Sequence, residues 1–327
     1  MKKFLCLFPI LFLAFAGCAL HFHLDFLGKD KIEEVELIKS KAKEKILIID
    51  VDGIISTTGS PGFLEREKDI LSRIYYRLEK ATEDKAIKGV ILRLDTPGGE
   101  VTASDILYDE ILKFKEKTGL PVVGLMMGLA TSGGYYVASA CDYIIAHPST
   151  ITGSIGVISI FPNFQELFSK IGIKVNVIKS GKMKDAGGFW RDISEEEKKV
   201  FQGIIDEFYR KFLDAVYKNR SEYISLEELE RIADGRVYTA YQAHNLKLID
   251  EIGYFDRAMK KMLSLTSLKE AKVIAYTYHP KQKTNIYATR LKSYSLFESK
   301  GLTYEDLLPY LKSGFYYLWL PELSLTQ

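Results

Sequence analysis

Short apolar runs alternate with longer stretches of helical spacing from residue 46 onward, and this alternation restricts the fold more than any single motif. The runs at 46–51, 89–94, 122–126, 143–146, 157–160 and 175–178 have the length and Ile/Val content of buried strands. Between them, 64–83 and 103–117 carry apolar residues at three- and four-residue intervals. The pattern predicts βαβ units and an α/β fold around a mainly parallel sheet. A helical region follows. Ser194 with Glu197 forms an S-x-x-E capping box ahead of a helix with Val200, Ile204, Phe208, Phe212 and Ala215 on one face. Ser225 with Glu228 opens a second helix that reaches residue 233. The body, 46–260, reads as one α/β domain. Before it, 21–45 reads as a Lys/Glu-rich stalk in which Ile32, Val35, Leu37 and Ile38 predict a short helix. After it, 261–327 is a C-terminal aromatic extension whose last fifty residues are irregular, and its apolar end, GFYYLWLPEL, predicts packed core or a subunit interface.

At the other end, Lys2 and Lys3 precede an apolar run over 4–20, the layout of a secretory signal. Two readings stay open. Ala16-Gly17-Cys18 looks like a bacterial lipobox, which makes 1–17 a signal peptide and Cys18 a lipidated N-terminus. Alternatively, 1–24 is an uncleaved membrane anchor, close to the ~20 residues a span needs. Both tether the body to membrane lipid on the extracytoplasmic (periplasmic or external) side of the cell membrane. Lys and Arg total 45 against 43 Asp and Glu, a balance that argues against a nucleic-acid partner. The three cysteines contain no C-x-x-C pair and the five histidines no H-E-x-x-H pair, so neither a metal nor a cofactor is expected.

Three segments carry candidate chemistry. Leu94-Asp95-Thr96-Pro97-Gly98-Gly99-Glu100 follows a predicted strand; it is a simple turn, or one whose amides face an oxyanion. Ser132-Gly133-Gly134-Tyr135-Tyr136 stands where a strand gives way to a helix. Ser132 there is either an ordinary N-cap or a residue held where a helix N-terminus favours negative charge. The two glycines cost roughly 1 kcal/mol each relative to alanine in a helix, which makes sense where something approaches the backbone closely. The third, Lys179-Ser180-Gly181-Lys182-Met183-Lys184-Asp185, reads on its own as solvated surface.

Taken in order, these segments resemble the signal peptide peptidase A family, serine proteases with a Ser–Lys dyad. Thr152-Gly153-Ser154-Ile155-Gly156-Val157 is similar to that family's T-G-S-I-G-V element. Ala233-Asp234-Gly235-Arg236-Val237-Tyr238-Thr239, with Leu248-Ile249-Asp250 and Gly253, is similar to its late helix–turn signature. The resemblance implies a Clp/crotonase-like spiral of βαβ units in the short, single-copy form, ending in a helical region. It further implies Ser132 as nucleophile and Lys184, rather than Lys182, as general base. Such a lysine must be neutral to take the serine proton, which requires a desolvated setting. Ser154 is the candidate that orients it. By similarity to Clp-type peptidases, Gly99 and Gly133 would supply oxyanion-hole amides. The expected assembly is a homo-oligomer, an octamer by resemblance, with Ser132 and Lys184 of one site from adjacent subunits. The expected substrates are apolar peptides such as remnant signal peptides. The rival readings are a Clp-like Ser–His peptidase with His147 as base, a crotonase-type acyl-CoA enzyme and a catalytically silent membrane scaffold.

Overall fold

A computed structural model describes residues 32–57, 69–278, 285–287 and 314–319. Within these, the main sheet runs β1 (Glu33–Ile38), β11 (Lys272–Thr277), β2 (Lys45–Asp52), β3 (Ile87–Thr96), β5 (Val122–Thr131), β6 (Tyr143–Ala146) and β10 (Glu251–Ile252). A branch, β7 (Ile151–Gly153), pairs with β5 and carries β9 (Val237–Thr239). All the ladders from β11 through β10 are parallel, as is β5–β7, whereas β1 and β9 run antiparallel to their neighbours. The expected α/β fold with a mainly parallel sheet is therefore what forms. A separate antiparallel sheet joins β4 (Gly98–Glu100), β12 (Gly314–Leu318) and β8 (Ile158–Ile160).

Alternation along the central strands supplies two cores. Leu47, Ile49 and Val51 of β2 join Val90, Leu92 and Leu94 of β3 on one face. Ile46 and Ile48 join Ile91 on the other. α1 (Ile70–Glu83), α2 (Val101–Thr118), α3 (Gly133–Ala138) and the second half of α5 (Glu195–Arg220) cover the first face. α8 (Phe255–Thr266) covers the second through Phe255, Ala258 and Met262. Local signals set the helix ends. Asp69 accepts the Ser72 amide at 2.8 Å before α1, and Gly119, at φ 65°, closes α2. Both expected capping boxes form, Ser194/Glu197 at α5 and Ser225/Glu228 at α6 (Leu226–Ile232). Two short helices, α4 (Gln165–Lys170) and α7 (Ala240–Asn245), complete the set.

Three expectations need correction. Residues 32–38 are not a helix. They form β1 on the free edge of β11, with Val35 and Leu37 half-buried between exposed glutamates. Period two, not the i, i+3 match of Ile32 and Val35, governs here. The run 175–178 forms no strand, and Ile178 is fully exposed, because the chain there has no described ladder to join. Finally, the last fifty residues are not wholly irregular, since β12 lies within them and Tyr317 is buried. The signal or anchor with Cys18, and the 64–68 part of the helix expected over 64–83, lie outside the described residues. Among the described residues, no helix is long and apolar enough to cross a membrane.

Candidate active site

β5 changes partner along its length. Its first half pairs with β6, and its last three residues, Leu129–Thr131, pair with β7. Asp95 accepts the Leu129 amide at 3.0 Å at the break. This switch carries the end of β5 toward β7, so Ser132 comes beside Gly153 and Ser154. The Ser132 amide donates to the Gly153 carbonyl at 2.8 Å, and the Ser154 amide to the Arg236 carbonyl at 2.8 Å. Both serines have positive φ, 53° and 52°, and both are buried. A non-glycine residue held in such a region costs about 1–3 kcal/mol, so the surrounding bonds must over-determine it. Ser132 begins α3, yet its hydroxyl makes no capping bond, which sets aside the ordinary N-cap reading. Instead, Ser132 and Ser154 line one cavity of ≈ 560 Å³, with Gly156, Ile158, Gln202 and Asp234 around it. Arg236 pairs with Asp234 and holds its carboxyl down to about 2, so this wall is negative and partnered at neutral pH.

The glycines are explained by close approach. At φ 97°, Gly98 makes a turn that favours glycine, and a methyl group on it would lie 2.6 Å from the Gly133 nitrogen. A methyl on Gly134 would lie 2.7 Å from Thr96 Cγ2, and one on Gly133 would collide with Ser104 Oγ. The first turn of α3 and the 96–99 turn are thus in backbone contact through Gly98 and Gly133, whereas Gly99 packs against the Ile55 backbone. Thr96 and Ser104, which sequence reading missed, shape this contact. Thr96 Oγ1 accepts the Gly98 amide at 3.0 Å, and Ser104 Oγ donates to the Glu100 carbonyl at 2.9 Å. No sequence signal distinguishes them from ordinary helix and strand residues.

Lys184 does not meet Ser132 within one chain. It lies exposed in the 180–188 turns and outside the residues that line the cavity. Lys182, its near neighbour, is paired with Glu196. The turn is built by a small ionic cluster. Arg191 donates to Asp185 at 2.8 Å and also bonds Glu197, and Lys179 reaches Asp185 at 2.6 Å. The Arg191 guanidinium holds the Glu197 carboxyl at about 2, and with Lys179 it keeps Asp185 well below the usual carboxylate range. Glu197 thereby serves both the α5 capping box and the lysine-bearing turn.

His147 directly follows β6, where its Nδ1 meets Ser149 Oγ at 2.8 Å and its ring packs edge-on against Tyr254. It lies outside the cavity lining, which takes away the geometric basis of a Ser–His pair. Among the described residues, no group of His, Cys, Asp or Glu is arranged to hold a metal ion.

The sequence family described as Peptidase family S49 matches residues 114–269, a range that contains Ser132, Ser154 and Lys184 but not Gly99. A protein of Enterococcus faecium named after signal peptide peptidase SppA is 34% identical over 277 residues, covering 85% of this chain and 78% of that one. A protein of Methanocaldococcus jannaschii named as a protease is 32% identical over 280 residues, covering 84% and 87%. "Serine protease SPPA, chloroplastic" of Arabidopsis thaliana is 34% identical over 237 residues, covering 72% of this chain and 34% of the longer plant protein.

Proposed function

The chain belongs to peptidase family S49 and is a serine peptidase; we propose that it works as a membrane-tethered endopeptidase with a Ser132–Lys184 dyad. The observation that carries this reading is the state of Ser132. It is strained, buried, free of a capping bond, and set at the wall of a cavity, directly before Gly133. In the proposed reaction Ser132 Oγ attacks a peptide carbonyl, Lys184 takes its proton, and the Gly99 and Gly133 amides receive the oxyanion. Ser154, on the same cavity wall, orients the lysine. Ser–Lys pairs are a known variant of the Ser-His-Asp arrangement.

Because Lys184 stands away from its own chain's Ser132, the dyad is assembled between neighbouring copies in a homo-oligomer. Two features support this. The arm that bears Lys184 exposes Leu167, Ile171, Val175 and Phe189, and its extended 173–179 stretch has no ladder partner among the described residues. Such an apolar arm is expected to seat against another copy. The substrates are apolar peptides, signal peptide remnants among them. The N-terminal Lys pair and apolar run support tethering at the extracytoplasmic membrane face, with Cys18 as lipidation site or 1–24 as anchor. The test is a serine-directed phosphonate followed by mass spectrometry of the labelled peptide. Label on Ser132, with activity lost in Lys184→Ala and kept in both Lys182→Ala and His147→Ala, is the expected result. Label elsewhere, or activity surviving Lys184→Ala, would refute it.

A further inference from the structure

The parallel strands start together at one end of the main sheet, with Lys45 of β2 opposite both Ile87 of β3 and Lys272 of β11. Ser132 follows the far end of the ten-residue β5. β1 runs the other way, so its last residue, Ile38, lies opposite Val273 at the starting end. There Ile38, Met259, Leu263 and Leu268 line a groove of ≈ 560 Å³, with the exposed Lys260 and Lys269 beside them. Ile38 is 38% exposed and Leu265, in the last turn of α8, is 42% exposed. From Ile38 the chain runs into Lys39-Ser40-Lys41-Ala42-Lys43, whose three lysines are exposed, as is Lys85 just before β3. Among the described residues, no ion pair engages Lys39, Lys41, Lys43, Lys85, Lys260 or Lys269, whereas Lys45 is held by Glu34 and Asp84. Glu44, Glu83, Asp256 and Glu270 are interspersed, which leaves the lysines in excess.

We infer that this end of the molecule docks on an anionic phospholipid surface, with Ile38, Leu265 and the groove at the acyl boundary and the lysines among the phosphates. The inference rests on the reading of the chain as membrane-tethered. An apolar strip flanked by lysines suits that boundary, because apolar side chains enter it while ammonium groups on long stems stay with the headgroups. Each lysine near an anionic surface adds to the attraction, which fades within a Debye length. The tether permits this placement. Residues 21–31, between the N-terminal apolar run and β1, can reach up to about 36 Å. The six-residue β1 spans only about 20 Å, so the apolar run and the lysine-rich end can meet one bilayer. The sheet then stands on its starting end and holds Ser132 roughly 30 Å above the headgroups. A peptide therefore reaches Ser132 from the aqueous side, after leaving the bilayer.

The experiment places full-length protein in vesicles of phosphatidylcholine alone, or with about one third phosphatidylglycerol, and follows amide hydrogen exchange over 36–44 and 259–270. The expected result is exchange about tenfold slower in both segments with phosphatidylglycerol, and relief of that slowing in about 0.5 M salt. The triple variant Lys39→Gln, Lys41→Gln, Lys43→Gln and the single variant Leu265→Asp should each lose most of the slowing. Phosphonate labelling of Ser132 at the wild-type level shows that both variants are folded, and the comparison of the two lipids in wild type needs no variant. Protein that floats with both kinds of vesicle yet exchanges equally fast in each overturns the docking and leaves the tether standing. Protein that floats with neither removes the tether and the docking together. Slowing that follows protein concentration rather than phosphatidylglycerol assigns the groove to a second copy and also overturns the proposal.

Discussion

The Ser132 amide is bonded to the Gly153 carbonyl at 2.8 Å, so the residue that opens α3 and the residue just before Ser154 are fixed to one another. This bond ends the short β5–β7 ladder and brings two positive-φ serines to one cavity wall. Ser154→Ala should accordingly lower kcat by about 10²-fold, the lower end of what a misdirected general base costs, with KM and Tm nearly unchanged. Steady-state kinetics with thermal unfolding checks this. Equal kcat in the two proteins would remove Ser154 from the mechanism.

Gly133→Ala places a methyl against Ser104 Oγ and beside the amide proposed for the oxyanion. Loss of one such donor typically costs 10²–10³ in kcat, and a similar loss is expected here, with the circular dichroism of the wild type retained. A variant that keeps wild-type kcat would show that this amide does not face the reaction.

Asp250 tests the late signature as structure rather than chemistry. Its carboxylate takes two bonds from the Arg220 guanidinium, at 2.6 and 3.0 Å, and one from the Ile144 amide at 2.6 Å. With Arg220 nearly fully buried, removing the carboxylate strands its charge. Asp250→Ala should lose about 3–5 kcal/mol of stability in denaturant unfolding. The phosphonate-labelled fraction of the folded protein should be unchanged.

The Asp185–Arg191–Glu197 cluster makes the lysine turn acid-sensitive. Both carboxyls titrate below their unfolded values of ~3.9 and ~4.3, so their contribution is complete only above about pH 5. It is lost as pH falls toward the folded values, about 2 for Glu197, because the unfolded chain binds more protons there. Hydrogen exchange of amides 180–197 should therefore accelerate in wild type as pH drops from 4 toward 2, after correction for intrinsic rates. Arg191→Ala should exchange faster already at pH 6 and show a smaller acid response.

Much of the fold was legible because burial on both faces of a parallel sheet leaves continuous apolar runs, as in β2, β3 and β5. β1 was not, because a half-exposed edge strand of six residues with three glutamates looks like a helix by i, i+3 counting. The run at 175–178 misled for the opposite reason. Its apolar alternation is real, but it has no described partner in its own chain. Ser132 could be singled out by the adjacent glycines, whereas Thr96 and Ser104, which shape the contact behind it, carry no such signal. Neither Lys184's separation from Ser132 nor the pairing that sets Lys182 apart has any local signature.

The most direct test of the shared dyad uses two variants, each expected to be inactive alone. Ser132→Ala and Lys184→Ala proteins are mixed, dissociated and reassembled, and peptidase activity is measured against each variant treated alone. The account predicts that activity returns in the mixture, where an intact Lys184 from one chain meets an intact Ser132 from another. Two silent variants whose reassembled mixture also stays silent would contradict it.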